Sequence, residues 1–164
     1  MTHTDGNIAG GFIKQEEHDD CYAACVATVL GIDLADVPNF YRDAGGAAGL
    51  TRMPEVYGMI REWARGRGLA PLFLLTPAPL AFLLAHSERL NPGVPFILGG
   101  TSIHGRGHAV VACHGRIIHE PAPGFGPEDG GVVSPGPDGQ YEVTYFVVLP
   151  AWARDMPPKP MDIQ

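Results

Sequence analysis

The chain has 164 residues, of which 45% are hydrophobic and 18% are charged, so it is long and apolar enough to bury the core of one globular domain. Its formal net charge is −7 and its 11 Lys and Arg residues are scattered, which argues against a nucleic-acid partner bound through phosphate contacts. No run approaches the roughly 20 apolar residues of a membrane span, so we expect no membrane partner.

The N-terminal segment and the cysteine content bear on the compartment. Residues Met1 to Gly11 are polar and Gly-rich, without the basic-then-apolar pattern of a secretory signal. Three cysteines are too few for a disulfide framework, and their number is odd. We therefore expect a cytoplasmic protein with three free thiols, Cys21, Cys25 and Cys113.

The first half of the sequence predicts mainly helices. The apolar run from Cys21 to Leu30 predicts a central buried helix, which Asp19 or Asp20 would cap and Gly31 would end. The other predicted elements of this half are, in chain order, an extended segment at Ile8 to Ile13, a helical turn at Leu34 to Tyr41, a loop at Gly45 to Gly49, an amphipathic helix at Glu55 to Arg67, a strand at Leu69 to Thr76 and a helix at Pro79 to Leu90.

The second half predicts strands. They are expected at Val94 to Gly99, His108 to Cys113, Arg116 to His119 and Tyr141 to Leu149, with a long Pro/Gly loop at Pro121 to Gly139. Residues 1–153 are predicted to form a single domain, and residues 154–164 a flexible Pro-rich tail. Helices followed by strands indicate an α+β fold, in which the central Cys-bearing helix packs on a C-terminal antiparallel sheet.

Cys21 is the candidate nucleophile because it stands at the N-terminus of the predicted buried helix. The helix dipole and the unpaired backbone N–H groups at that end favour a thiolate, and the N–H of Cys21 is one candidate oxyanion donor. Gln15, six residues earlier, is the candidate second donor through its side-chain amide. The alternative interpretation is an ordinary buried helix cysteine and a surface glutamine.

His108 is the candidate base. It follows Gly107 and precedes the apolar run Ala109 to Val111, which places it at the start of a strand, where a side chain can face a cleft. His104 and His114 fall in a loop and a turn, so we expect both in solvent. A structural histidine is the alternative interpretation of His108.

A third member of the site is expected at His119 or Glu120, just before Pro121. The turn His114-Gly115 predicts a hairpin whose far end returns beside His108. Alternation along a strand puts His119 and Glu120 on opposite faces, so only one of them orients His108. We favour Glu120 and keep His119 as the alternative.

Cys25 lies one turn after Cys21, on the same helix face. A small packed residue is the preferred interpretation of Cys25, and a resolving thiol is an alternative. A zinc site from His18, Cys21 and Cys25 has an unusual spacing and no evident fourth ligand. We therefore expect neither a metal nor a cofactor.

The order Gln15, Cys21, Gly107-His108 and an acid before Pro121 resembles that of papain-like cysteine peptidases, most closely the C39-like peptidases. A wider pattern, covering roughly Lys14 to Gly124, resembles small and mostly uncharacterised tailed-phage proteins; its motifs are DCYAACVA (20–27), VPNF (37–40), GHAVV (107–111) and HEPAP (119–123). The resemblance implies a papain-like fold, with Gln15 as the oxyanion residue, Cys21 as the nucleophile, His108 as the base and Glu120 as its orienter.

Three features depart from that family's pattern. Glu120 stands where Asp or Asn is usual, and Asp20 precedes the cysteine where a small residue is common. Four acids surround the nucleophile in sequence, and nearby negative charge disfavours a thiolate; they are Glu16, Glu17, Asp19 and Asp20. A charged His108 would have to outweigh that repulsion.

The function implied by this resemblance is hydrolysis of a peptide, isopeptide or related amide bond in a protein or peptide substrate, through an acyl-enzyme on Cys21. One alternative is a catalytically weak or dead papain-like module that binds a host or phage protein. Another is a cell-wall amidase or peptidase. A phage-encoded protein would act in the host cytoplasm.

Overall fold

The first helix follows directly from its apolar run. The computed structural model describes residues 11–45, 53–129 and 131–156. Helix α1 spans Cys21–Leu30 and buries every residue from Tyr22 to Thr28, as its all-round apolar character predicts. Gly31 ends it in the left-handed conformation, with φ 65°.

The N-terminal cap of α1 differs from the prediction. Asp20 occupies the cap position, but its side chain makes no capping hydrogen bond. One carboxylate oxygen instead accepts from the backbone N–H of Glu16, at 3.2 Å. The prediction is therefore confirmed for the position of Asp20, but its side chain does not cap the N–H groups of the first turn.

The predicted helical turn at Leu34 to Tyr41 is two elements. A 3-10 turn covers Leu34–Asp36, and α2 covers Phe40–Asp43. Pro38 separates them, because proline has no N–H to continue a helix. The Asn39 side chain caps α2 by accepting from the N–H of Arg42, at 3.2 Å.

Most of the remaining elements match the predicted types, with small changes of bounds. They are α3 (Met53–Arg65), β1 (Leu69–Thr76), α4 (Leu80–Leu90), β2 (Phe96–Ser102), β3 (Gly107–Cys113), β4 (Arg116–His119), β5 (Val132–Ser134), β6 (Tyr141–Val148) and α5 (Ala151–Arg154). Strand β5 and helix α5 were not predicted, since the interval Pro121 to Gly139 reads as loop and no element is predicted after Leu149. With only three residues, β5 is too short to show a period-2 pattern in the sequence. It pairs with β2 where the register shifts between Thr101 and Ser102.

Within the described residues, six antiparallel strands form one sheet with the order β1-β6-β2-β3-β4, and β5 pairs with β2 off this path. One core, built from α1, α2 and α3, packs on Ile97, Ala109 and Val111 of β2 and β3. A second core lies between α4 and residues such as Leu98 and Val110 of the same strands. The chain is thus α+β, with the Cys-bearing helix on the sheet that carries His108.

Some features of the sequence lie outside the described residues. They are the first part of the predicted extended segment (8–10), most of the Gly-rich loop (46–49) and the tail beyond Met156. In the described part of the chain no single helix is long and apolar enough to cross a membrane. One pair of helical segments, Cys21–Leu30 and Leu34–Asp43, has the length and composition of a span when taken together, but the two are bent by 106°.

Candidate active site

Helix α1 holds Cys21 at its first position. The Cys21 side chain is half-buried, whereas Cys25 and Cys113 are buried. The next residue, Tyr22, anchors this end of the helix, since its hydroxyl donates to Oγ1 of Thr144 on β6, at 3.2 Å. The thiol at the helix N-terminus is therefore the one that solvent or a substrate can reach.

The hairpin β3–β4 brings its two ends together through a tight turn and a bulge. His114 and Gly115 both have positive φ, 53° and 73°, as a two-residue type I′ turn requires. The pairing then shifts: Ala112 lies opposite Ile117, but Val111 lies opposite His119. Ile118 is thus the extra residue of a β-bulge.

This bulge decides which side chain reaches His108. In a regular ladder from this turn, His119 would share the face of His108. The bulge reverses the alternation, so that Glu120 takes that face instead. The prediction that Glu120 lies beside His108 is confirmed, and the bulge is the structural reason for it.

The imidazole of His108 joins an acid and a thiol. Its Nε2 lies 2.6 Å from Oε1 of Glu120, a carboxylate with 1% of its side chain exposed. The ring also hydrogen-bonds the Cys21 side chain. Because the carboxylate engages Nε2, we infer that Nδ1 is the ring nitrogen that bonds the sulfur. The prediction that His108 lies within hydrogen-bond reach of Cys21 is thereby confirmed.

The electrostatics of this group favour a charged imidazole. Burial lowers the pKa of His108, but the hydrogen bonds and charges of Cys21 and Glu120 outweigh it and raise the pKa to about 9. Oε1 of Glu120 also accepts from the N–H of Ala122, at 2.8 Å, which fixes the carboxylate. The arrangement is that of an imidazolium held between a fixed carboxylate and a thiol.

The other histidines considered take no part in this group. His119 is buried, and its Nε2 donates to the backbone carbonyl of Ile13, at 2.6 Å, while its ring stacks on Phe12. Burial lowers the pKa of His119. His104 and His114 are exposed, as predicted.

Comparisons with known proteins leave the family open. No family model, no curated protein and no solved structure matches the chain.

Gln15 is held in place but is already partly engaged. It is 9% exposed, and its Nε2 donates to the carbonyl of Glu17, at 2.9 Å. A primary amide carries two N–H bonds, so one remains for a further acceptor. No hydrogen bond between described residues joins Gln15 to Cys21. The backbone of Gln15 donates to the carbonyl of Pro121, at 2.9 Å, which ties it to the segment after Glu120.

Lys14 is a residue of this region that sequence reasoning missed. Its Nζ donates to the carbonyls of Glu120, Ala122 and Phe125, at 2.6, 3.3 and 2.6 Å. The lysine thus clamps the segment after Glu120 to the segment before Cys21. Its three acceptors are backbone carbonyls, which every residue has, so no sequence signal marks such a clamp.

The four acids before Cys21 are mostly directed to other partners. Glu17 pairs with Arg42, Asp19 accepts from Nδ2 of Asn39 at 3.0 Å, and Asp20 accepts from a backbone N–H. Glu16 is exposed to solvent, which screens its charge. The crowding seen in the sequence is therefore weaker in the fold.

The alternative zinc site is not assembled. His18 is exposed, and no set of three ligand atoms from His18, Cys21 and Cys25 lies within ligand distance in the part of the chain that the structure describes. Burial raises the pKa of the Cys25 thiol well above its usual value, and the charge of Cys21 adds to this. Cys25 is accordingly a small packed residue of the core.

Proposed function

We propose that this protein is a papain-like cysteine hydrolase, which cleaves a peptide, isopeptide or related amide bond through an acyl-enzyme on Cys21. The observation that carries the proposal is the position of the His108 ring, with one nitrogen toward Cys21 and the other 2.6 Å from the Glu120 carboxylate. Acyl transfer needs a nucleophile that contacts a base, and a base that contacts an orienting acid.

The surrounding fold supports the same proposal. The thiol stands at the N-terminus of a buried helix, the histidine at the start of a strand on which that helix packs, and the acid at the end of the next strand. In a papain-like fold the nucleophile helix and the base-bearing sheet meet in this way. The helix dipole at Cys21 favours negative charge on sulfur.

In the proposed reaction, the Cys21 thiolate attacks the carbonyl carbon of the substrate amide. The developing oxyanion would accept from the N–H of Cys21, in a helix turn without a side-chain cap, and from the remaining amide N–H of Gln15. The proton on Nδ1 of His108 passes to the leaving nitrogen as the C–N bond breaks, which releases an amine and leaves a thioester on Cys21.

Hydrolysis of the thioester would complete the cycle. His108, now neutral, takes a proton from water as the water oxygen attacks the thioester carbon. The C–S bond then breaks, which releases a carboxylic acid and restores the thiolate–imidazolium pair. Throughout, Glu120 accepts the Nε2–H bond and keeps the ring in one orientation.

The test combines a thiol-directed activity probe with a peptide-library cleavage screen. Wild type should be labelled and should cleave library members, whereas Cys21→Ala should do neither. Cys25→Ala, which removes a thiol one turn away in the buried core, is the matched control and should behave as wild type. Labelling that persists in Cys21→Ala would contradict the proposal.

A second candidate is a catalytically weak or dead module that binds a host or phage protein. The observation that favours it is the hydrogen bond from Nε2 of Gln15 to the carbonyl of Glu17. This bond uses one of the two amide N–H groups that the proposed oxyanion site would draw on. A folded wild type that neither reacts with the probe nor cleaves any library member would support this candidate. The cell-wall amidase alternative would use a Cys–His–His arrangement with His119 beside His108. It is less favoured, because His119 bonds the carbonyl of Ile13 instead.

A further inference from the structure

Three side chains with metal-binding donors converge at the turn end of the β3–β4 hairpin. They are Glu88 in the last turn of α4, Cys113 at the end of β3 and His114 in the turn. One ligand atom of each lies within 4.8 Å of the other two, and no other group of three His, Cys or acidic residues among the described residues meets this limit.

The local backbone explains why these side chains meet. His114 is the one non-glycine residue with positive φ in the described part of the chain, a conformation that the tight turn imposes. Oε2 of Glu88 accepts from the N–H of Gly93, at 3.3 Å, while Oε1 faces Nδ1 of His114. The Cys113 sulfur accepts from the backbone N–H of His114. Each donor group is thus oriented by the chain around it.

The spacing fits ligands of one ion better than it fits a hydrogen bond. Nδ1 of His114 and Oε1 of Glu88 are 3.7 Å apart, beyond the hydrogen-bond range. Two ligands at about 2.0–2.2 Å from a tetrahedral zinc ion lie roughly 3.3–3.6 Å from each other, and a sulfur ligand slightly farther. The Glu88–His114 pair is therefore within a few tenths of an ångström of coordination distance, and the Cys113 sulfur lies within 4.8 Å of their ligand atoms.

We propose that Glu88, Cys113 and His114 bind a zinc ion, with the fourth position open to water or another ligand. A thiolate, an imidazole and a carboxylate form a donor set that suits zinc, whereas magnesium and calcium take oxygen ligands. Glu88 and Cys113 supply the negative charge that a divalent ion needs. The hydrogen bonds from Gly93 and His114 would act as the outer shell that orients the ligands.

This site is separate from Cys21 and does not depend on the proposed hydrolase function. Cys113 and His108 stand at opposite ends of β3, roughly 16 Å apart along the strand. A bound zinc ion links α4 to the hairpin at the end far from Glu120. Because the folded chain alone brings the three ligands together, zinc binding stabilises the fold.

The test is titration of the chelator-treated Cys21→Ala protein with Co²⁺ and then Zn²⁺, so that the candidate nucleophile supplies no thiolate. We expect one equivalent of Co²⁺ to bind with a sulfur-to-cobalt charge-transfer band, and Zn²⁺ to displace it. Adding Cys113→Ser should remove the band. Adding Glu88→Gln or His114→Asn should weaken binding about tenfold or more, and Asn tolerates the left-handed turn.

The controls are Glu128→Gln and His104→Asn, two exposed positions outside the cluster. Both should leave the titration unchanged. Cys113 is buried, so Cys113→Ser could fail to fold. The Glu88 and His114 side chains are partly exposed, and in that event their variants decide the test. Absence of one-equivalent binding, or binding that survives unchanged in both of these variants, overturns the proposal.

Discussion

Oε1 of Glu120 lies 2.6 Å from Nε2 of His108 and 2.8 Å from the N–H of Ala122. The backbone N–H thus holds in place the same carboxylate oxygen that contacts the imidazole. Since Glu120 is almost wholly buried, it cannot exchange this partner for water. The His108 ring is therefore oriented by Glu120 as well as by its bond to Cys21, and replacing Glu120 tests the first of these contacts.

Replacing Glu120 should lower activity, and the conservative variant Glu120→Gln should still fold. Glu120→Gln keeps the shape but not the charge, so we expect a loss in kcat/KM of roughly 100-fold or more against a peptide found by the screen. Glu120→Ala should lose more, because it also leaves a cavity beside the ring. Glu128→Gln, at an exposed position, is the control. Wild-type rates in both Glu120 variants with an inactive His119→Ala would transfer the role to His119.

Thiol reactivity should differ sharply among the three cysteines. Cys21 is half-buried at a helix terminus, whereas Cys25 is fully buried and Cys113 is 5% exposed. Brief iodoacetamide treatment followed by peptide mass spectrometry should therefore find label mainly on Cys21. His108→Asn should slow this labelling, because the thiolate loses its imidazolium partner. Faster labelling of Cys25 or Cys113 than of Cys21 in native protein contradicts the assignment of the nucleophile.

The pKa of His108 makes stability depend on pH in a defined window. The histidine titrates near 6.5 when unfolded and at about 9 in the fold, so folding favours its protonated form. The resulting stabilisation is fully present below pH 6.5 and is lost as the pH rises through 9. It amounts to roughly 3 kcal/mol in the free energy of unfolding.

Urea unfolding of wild type and His108→Asn across this range measures that contribution. The difference between the two proteins should shrink as the pH rises from 6.5 to 9, while exposed His104→Asn should track wild type throughout. An NMR titration of the His108 ring should give the raised pKa, and Cys21→Ala should lower it, because the Cys21 hydrogen bond is one cause of the rise. A difference that stays constant with pH argues against a charged His108.

Gly100, which pairs with His108 across β2 and β3, should not tolerate a side chain. A Cβ there would lie 2.6 Å from the carbonyl of Ser134 and 2.6 Å from Cγ1 of Val132. Gly100→Ala should destabilise the protein by about 1–3 kcal/mol, through displacement of β5. Gly58→Ala is the matched control, since Gly58 is exposed in α3 with open space around it, and it should stabilise by about 0.5–1 kcal/mol. Thermal unfolding of both variants measures the contrast, and equal melting temperatures would contradict it.

The sequence predicted the helices and strands well where their patterns are long. Helix α1 and strands β1 and β4 have the predicted bounds, because turn residues flank each of them: Gly31 after α1, Gly68 and Pro77 around β1, and Gly115 and Pro121 around β4. Strand β5 escaped prediction, since three residues cannot display a period. Its existence depends on pairing with β2, a contact remote in sequence.

The candidate site was predictable in its residues but less so in its geometry. The positions of Cys21, His108 and Glu120 follow from motif spacing, yet a regular hairpin would have turned His119 toward His108. The bulge at Ile118 changes that outcome, and no residue type in β4 marks it. The Lys14 clamp was equally hidden, because its acceptors are main-chain carbonyls.

That clamp has a consequence for the order in which the protein acquires its site. Lys14 and the carbonyl of Glu120 are 106 positions apart in the chain. Contacts between such distant positions form late, because closing a long loop costs entropy before any contact offsets it. A ribosome that has finished α1 still has β3 and β4 to synthesise. The nascent chain therefore carries the Cys21 thiol without His108 or Glu120 beside it, and the three side chains meet only when β3 and β4 have joined the sheet.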